Sequence, residues 1–460
     1  MLVAKLLVVV GIAQVPSGPA DPAELVRQLG AARYAAREAA SAALERLGRP
    51  ALKALRAARD ARDPEIRTRA YNLIQRIEGN LLTQPSRVRL EFDQTPLHDV
   101  MKSVSTQAGF KVALQPENVP RWRSQRVTLH QPEPLPFWKA IDRLCDAAQL
   151  QYNPSQPGFG NPREPTFTLT DGALRTVTPV SDHGPFRVSL LGLLYQSELN
   201  YAAVGGFRPP MGADRGVRPR AGAPARLHPV SNVQFLAKLL VAAEPRLSVS
   251  LNGALQVLEA VDDRGNSLIP SGALGTVPTR FPGYFGMTHG AVLPLQAPLE
   301  RPATVGKTLK TLRGAIPLTV SSRRPDPLIV PLNQGTGKRF ENPDVELTLH
   351  EIRTAPNTHQ TLIEFSLKPN EHRASAEHDV ADAWTDPLYR TDTQRLQLEI
   401  LDSRDQLVPC FPSGVDSETS HVTLTVTNLA HTSALKELRY HTLTRASLNV
   451  PFEFHDIPIP

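Results

Sequence analysis

The chain has 460 residues, 41% of them hydrophobic and 21% charged, which is enough for three or four domains and too apolar for a disordered chain. Its formal net charge of +6 is a mild excess with no long Lys/Arg block, so a nucleic-acid partner, which needs a dense basic stripe, is not expected. Proline is abundant, 43 residues against 28 glycines. Helix interiors exclude it and loops and strand ends accept it, so the Pro-rich stretches predict β structure with many connections.

Lys5 precedes a short apolar run, Leu6–Ala13, which is followed by Pro16, Gly18, Pro19 and Ala20. One positive charge, a brief apolar stretch and small residues form the layout of a secretory signal peptide over 1–20. The expected location is therefore the periplasm or the cell surface. The run is too short to cross a bilayer as a mature helix, and no other segment is apolar enough, so no integral span is expected in the mature chain.

Between residues 21 and 82, Asp21-Pro22, Arg49-Pro50 and Asp63-Pro64 mark helix starts, because Pro suits the first helical position and Asp caps orphan N–H groups. Apolar residues recur at helical spacing: Leu25, Val26 and Leu29; Ala36, Ala40, Ala43, Leu44 and Leu47; Leu52, Leu55 and Ala58; Ile66, Ala70, Leu73, Ile74 and Ile77. In Ala36-Arg37-Glu38-Ala39, the Leu44–Gly48 end and the Asp63-Pro64-Glu65-Ile66-Arg67 start, the segment resembles HEAT-type helical repeats, and with them exported bacterial HEAT-repeat proteins. The resemblance implies a protein-interaction surface. Two repeat units are fewer than a solenoid normally needs, so a packing cap for the next domain stands as an equal alternative.

From 87 to 171 the pattern changes. Val88–Phe92 alternates as a half-buried strand. Leu97, Val100, Met101, Val104 and Ala108 line a helix that ends at Gly109, and Phe110–Leu114 is a second strand. Arg126–Leu129, a helix carrying Phe137, Ile141, Leu144, Cys145 and Ala148, then Leu150–Tyr152 and Phe167–Leu169 repeat the phrase. The spans Val88–Leu114 and Val127–Tyr152 resemble the short secretin and TonB N-terminal domain. That resemblance implies docking of periplasmic partners without catalysis. No pore or barrel region follows it.

Trp138 opens a helix and is expected in the core. Trp122, between Arg121 and Arg123 in a Pro-bounded loop, is the candidate exposed anchor for a partner, against the alternative of a core tryptophan. Cys145 reads as a buried free thiol. A disulfide between Cys145 and Cys410 has no supporting spacing, and no CxxC signature occurs.

Residues 183–460 alternate short apolar strands with Pro, Gly, Asn and Asp turns, the pattern of β-sandwiches in an exported chain. Leu255–Pro270 matches Leu396–Pro409, each a strand reaching an Asp-x-Arg turn and a second strand that ends at Pro. Leu309-Lys-Thr-Leu-Arg313 matches Leu435-Lys-Glu-Leu-Arg439, and Phe186–Leu191 matches Val345–Leu349. Three matches in one order imply a duplication: two sandwiches of immunoglobulin-like size, at 183–322 and 323–460. The Arg-containing stretch 205–229 reads as a mobile loop, and 371–386 mixes His and carboxylates without a fixed metal-ligand spacing.

No GxSxG elbow, P-loop, GxGxxG in a βαβ setting or zinc framework occurs, so no catalytic, cofactor or metal residue is assigned. The sequence therefore describes a multidomain α+β and all-β chain: a short helical repeat, a small βαββαβ module and two immunoglobulin-like β-sandwiches. The expected role is a non-catalytic binding or scaffolding protein of the cell envelope whose partners are envelope proteins. The alternative is an exported enzyme of glycan-hydrolase type, which would need an inter-domain cleft with two facing carboxylates.

Overall fold

The computed structural model describes residues 21–117, 119–152, 165–172, 178–203, 227–270, 291–324, 326–342, 344–355, 360–369, 397–416, 420–427 and 434–460. Residues 1–20, read above as a signal peptide, and the stretch 371–386 lie outside them, as does 205–226 of the Arg-containing loop. The chain divides at Thr83 and Gln84 into two compact units. The fold is a mixed, multidomain, β-rich one.

The first unit holds helices α1 (Pro22–Gln28), α2 (Tyr34–Leu47), α3 (Leu52–Ala57) and α4 (Pro64–Thr83). Asp21 and Asp63 cap α1 and α4, each carboxylate accepting from the amide two residues on. An arginine clamp occurs twice at matching places. Arg37 donates to the carbonyls of Ala31 and Ala32, and Arg67 donates to those of Ala61 and Arg62. Leu29, Ala40, Leu44, Leu55, Leu73, Ile74 and Ile77 share the core, where small alanines let the helices approach closely.

The second unit opens with the α+β module. It comprises β1 (Arg87–Pro96), α5 (Leu97–Ala108), β2 (Lys111–Leu114), α6 (Pro120–Ser124), β3 (Arg126–Pro136), α7 (Phe137–Ala148), β4 (Leu150–Gln151) and β5 (Thr166–Asp171). β1 pairs antiparallel with β3, while β2 and β4 flank β5, the former parallel to it. α5 and α7 each follow a proline that enters directly from a strand, and each ends on a left-handed residue, Gly109 or Gln149.

The β strands follow in two halves. The first contains β6 (Val180–His183), β7 (Phe186–Ala203), β8 (Leu227–Ala243), β9 (Ser248–Leu251), β10 (Gln256–Asp262), β11 (Val292–Leu299) and β12 (Thr308–Arg323). The second contains β13 (Leu328–Pro331), β14 (Arg339–Glu341), β15 (Val345–Ala355), β16 (Gln360–Pro369), β17 (Leu398–Asp402), β18 (Leu407–Val408), β19 (Cys410–Asp416), β20 (His421–Thr427) and β21 (Leu435–Tyr440). One last strand, β22 (Leu443–Pro458), closes the chain.

Four sheets result: β6-β7-β8-β11, β10-β12-β22 with β9 also on β12, β14-β15-β16-β20-β19, and β13-β21-β17-β18. The two halves share one turn at matching places. In each, the turn aspartate sits opposite a leucine near the start of the paired strand, Asp262 opposite Leu309 on β12 and Asp402 opposite Leu435 on β21, just past a register shift. Asp262 Oδ1 accepts from the amides of Arg264 and Asn266; Asp402 Oδ1 accepts from those of Arg404 and Gln406. Both turns need a left-handed residue three positions after the aspartate, Gly265 at φ 82° and Asp405 at φ 59°.

Read from the sequence, the last strand falls within the second sandwich, 323–460. The register instead places β22 against β12, from Thr308 opposite Pro458 to Arg323 opposite Leu443. Likewise Leu227–Pro229, read as loop from composition, begin β8 and pair with Ala203, Ala202 and Tyr201.

Candidate functional site

The densest polar construction among the described residues joins the α+β module to the first β half. It begins with an arginine in an apolar strand, Phe186-Arg-Val-Ser-Leu190. The strand's alternation sends Phe186 and Val188 to one face and Arg187 to the other, where α7 lies. Arg187 is 1% exposed. Its guanidinium donates to both Asp142 oxygens on α7 and to both Asp182 oxygens on β6, each bond 2.7 Å long. It also donates to the Tyr152 hydroxyl and lies 5.1 Å from the centre of the Trp138 ring.

This is a cation held by two bidentate carboxylates and an aromatic face, the geometry for which arginine is suited and lysine is not. Burial works against the charge, but the bonds to Asp182 and Asp142 prevail and hold Arg187 above its ordinary range. Burial, with Asp142 and Asp146 nearby, pushes the Cys145 thiol up to about 12, and burial first of all brings the Tyr152 hydroxyl to about 12. Neither group is poised to ionise near neutrality, which makes Cys145 a packing residue and not a nucleophile.

Two further contacts fix the same joint. The Trp138 indole N–H donates to the Pro185 carbonyl at 3.0 Å. Glu244, fully buried at the end of β8, accepts from the Ser86 amide and hydroxyl, both at 2.8 Å, and from Arg246, which reaches on to the Gln84 carbonyl. Apolar packing runs through the joint as well. Leu240, Ala242 and Val292 of the first half lie in one buried cluster with Phe137, Ile141 and Leu144 of the module.

The residues singled out in the sequence fall elsewhere. Pro120 starts a five-residue helix that turns Trp122 inward, where the ring is 5% exposed inside the module core; it is not on the surface as an anchor would be. Arg121 and Arg123 stay exposed. Arg121 pairs with Asp171 and donates to the Gln149 carbonyl, so it staples α6 to the end of α7. Trp138 is buried, and Cys145 and Cys410 are both free thiols. Sequence reasoning did not single out Arg187, Asp142, Asp182 or Glu244. The available signal was a charge inside an apolar strand, which marks a buried ion pair as readily as an exposed edge.

Compared with protein-family models, curated proteins and solved structures, the chain matches none. Among the described residues, no helix is long and apolar enough to cross a membrane.

Proposed function

We propose that the protein is a non-catalytic scaffold of the cell envelope that holds its binding surfaces in fixed relation. The observation that carries this reading is where the buried acids among the described residues are spent. Glu78 pairs with Arg56, Glu244 with Ser86 and Arg246, Asp344 with Arg324 and Thr442, and Glu399 with Arg323. Asp262 and Asp402 accept from backbone amides of their own turns. Each is committed to building the frame, whereas an acid–base enzyme keeps a carboxylate free to face its substrate.

On this reading the helical unit is a HEAT-like interaction element, and the module is a docking domain of the secretin and TonB N-terminal kind. The β halves are immunoglobulin-like spacers, and the partners are envelope proteins met after export. The docked module supports the reading: a recognition domain held by Arg187 and Glu244 presents its outer surface without the ordering cost of a tethered one.

Affinity capture from envelope extract with tagged residues 21–460 tests it. The expected result is reproducible recovery of defined envelope proteins, weakened when Arg187→Met loosens the module. Hydrolysis of envelope glycan by the purified chain, or no reproducible partner across conditions, would overturn it.

A further inference from the structure

The duplication exposes an asymmetry. In the second half, the place beside β21 is taken by β13, the first strand of that half, with Leu328 opposite Tyr440 and Val330 opposite Leu438. The corresponding place beside β12 is taken by β22, the last strand of the chain. The second half is complete within 328–440, since its core cluster runs from Leu328 to Tyr440 and draws on both of its sheets. The first half has no such closure, because its last sheet strand lies beyond the whole of the second half.

Three observations bear on how firmly β22 is held. Val450, Phe452 and Phe454 alternate inward and Ile457 is buried beyond them, each at most 9% exposed. Register is unbroken over the strand's upper part, from Leu312 opposite Phe454 to Arg323 opposite Leu443. Gly314 is shaped for its partner: a Cβ there would lie 2.5 Å from Phe452 Cζ and 2.3 Å from the Gln256 carbonyl oxygen. The ring of Phe452 thus occupies the room that the missing side chain leaves, a glycine covered by a cross-strand aromatic. Four large apolar side chains and a fitted glycine describe a permanent seat, not a flap that comes and goes.

We propose that β22 is a clasp, and that the first half is a strand-acceptor that stays open until residues 443–458 arrive. The acceptor recognises an extended strand with apolar residues at alternating positions, and Gly314 makes it selective for an aromatic at the position of Phe452. For a chain made and exported from its N-terminus, the second half can then close first, and the first half closes only once residue 458 is available.

Pulse-labelled hydrogen exchange during refolding of the full chain tests the order of events. Amides of β10, β12 and β22 are expected to gain protection in one phase, no earlier than those of β15, β16 and β20. Protection of the β10–β12 pair in a phase ahead of β22 would overturn the proposal.

A second measurement uses the full-length variant Phe452→Ser/Phe454→Ser. Native-state exchange should then lose protection at 256–262 and 308–318 by about a hundredfold or more, with little change at 345–349 and 361–367. A peptide of sequence 443–458 should restore the loss. Loss spread equally over both halves, or none in the first, would contradict the clasp.

Discussion

The two β halves share an aspartate turn, yet they are buried differently. In the first half, β8 reads Phe-Leu-Ala-Lys-Leu-Leu-Val-Ala-Ala over 235–243, and Leu239 through Ala243 are buried without a break. In the second, β16 alternates over Thr361–Lys368, burying Thr361, Ile363, Phe365 and Leu367 while Leu362, Glu364, Ser366 and Lys368 are at least partly open. The cause is what lies outside each sheet. The α+β module covers the far face of β8, so the strand needs apolar residues on both sides, as strands in doubly covered sheets do. The sheet of β16 shows polar residues there, among them Thr348 and His350 on β15 and Ser366 on β16. One half thus serves as the mounting plate of the module, and the other keeps one face open.

The largest effect should come from removing the mount. Arg187→Met leaves Asp142 and Asp182, both partly open to solvent, without their cation; loss of one partner from a buried ion pair costs about 3–5 kcal/mol, and the exposure of the two acids puts this site at the low end of that range. Urea unfolding should show that loss, whereas Arg353→Met, an exposed arginine on the open sheet of the second half, should stay within about 1 kcal/mol. Equal effects at the two sites would erase the distinction between them.

The shared turns come next. Asp262→Ala strands the amides of Arg264, Asn266 and Gly306, each of which donates to its carboxylate. A cost of about 1–3 kcal/mol is expected in the first half, and Asp402→Ala should give a similar cost in the second. Burial would raise the Asp262 carboxyl, but the Asn266 side chain and the three amides outweigh it and hold it at about 2, below its ordinary 3.8. A depressed carboxyl contributes stability in full above the unfolded value and loses it as pH falls through the folded one. Stability should therefore fall between about pH 4 and pH 2, and Asp262→Asn should flatten that part of the acid titration.

Gly265→Ala should cost about 1 kcal/mol, because φ of 82° strains any L side chain although the space around it is open. Thermal unfolding would read this cost. Smallest of all is Arg313→Ala, which breaks an exposed pair with Glu259 and should change stability by less than about 1 kcal/mol.

Much of the local structure was readable in the sequence. Helices α5 and α7 follow from Pro-Leu or Pro-Phe starts and a clean apolar stripe, and the twin Asp-x-Arg turns declare themselves because both copies keep the residues their geometry demands. What escaped depends on contacts far apart in the chain. Nothing local tells β22 to choose β12 over a strand of its own half, since both offer alternating apolar partners. The inward turn of Trp122 hangs on a five-residue helix, while its arginine neighbours suggest exposure. Arg187 went unmarked because its two aspartates, Asp142 and Asp182, come from separate elements, one of them on α7 of the module.

Native-state hydrogen exchange of the unaltered chain at rising denaturant tests the central claim most directly, that module and first half are one mechanical body. The amides of Phe137–Cys145 on α7 and of Leu239–Val241 on β8 should open together, with one free energy and one denaturant dependence. Opening of α7 at lower denaturant while β8 stays protected would mean that the module is merely tethered, and the fixed scaffold would fall with it.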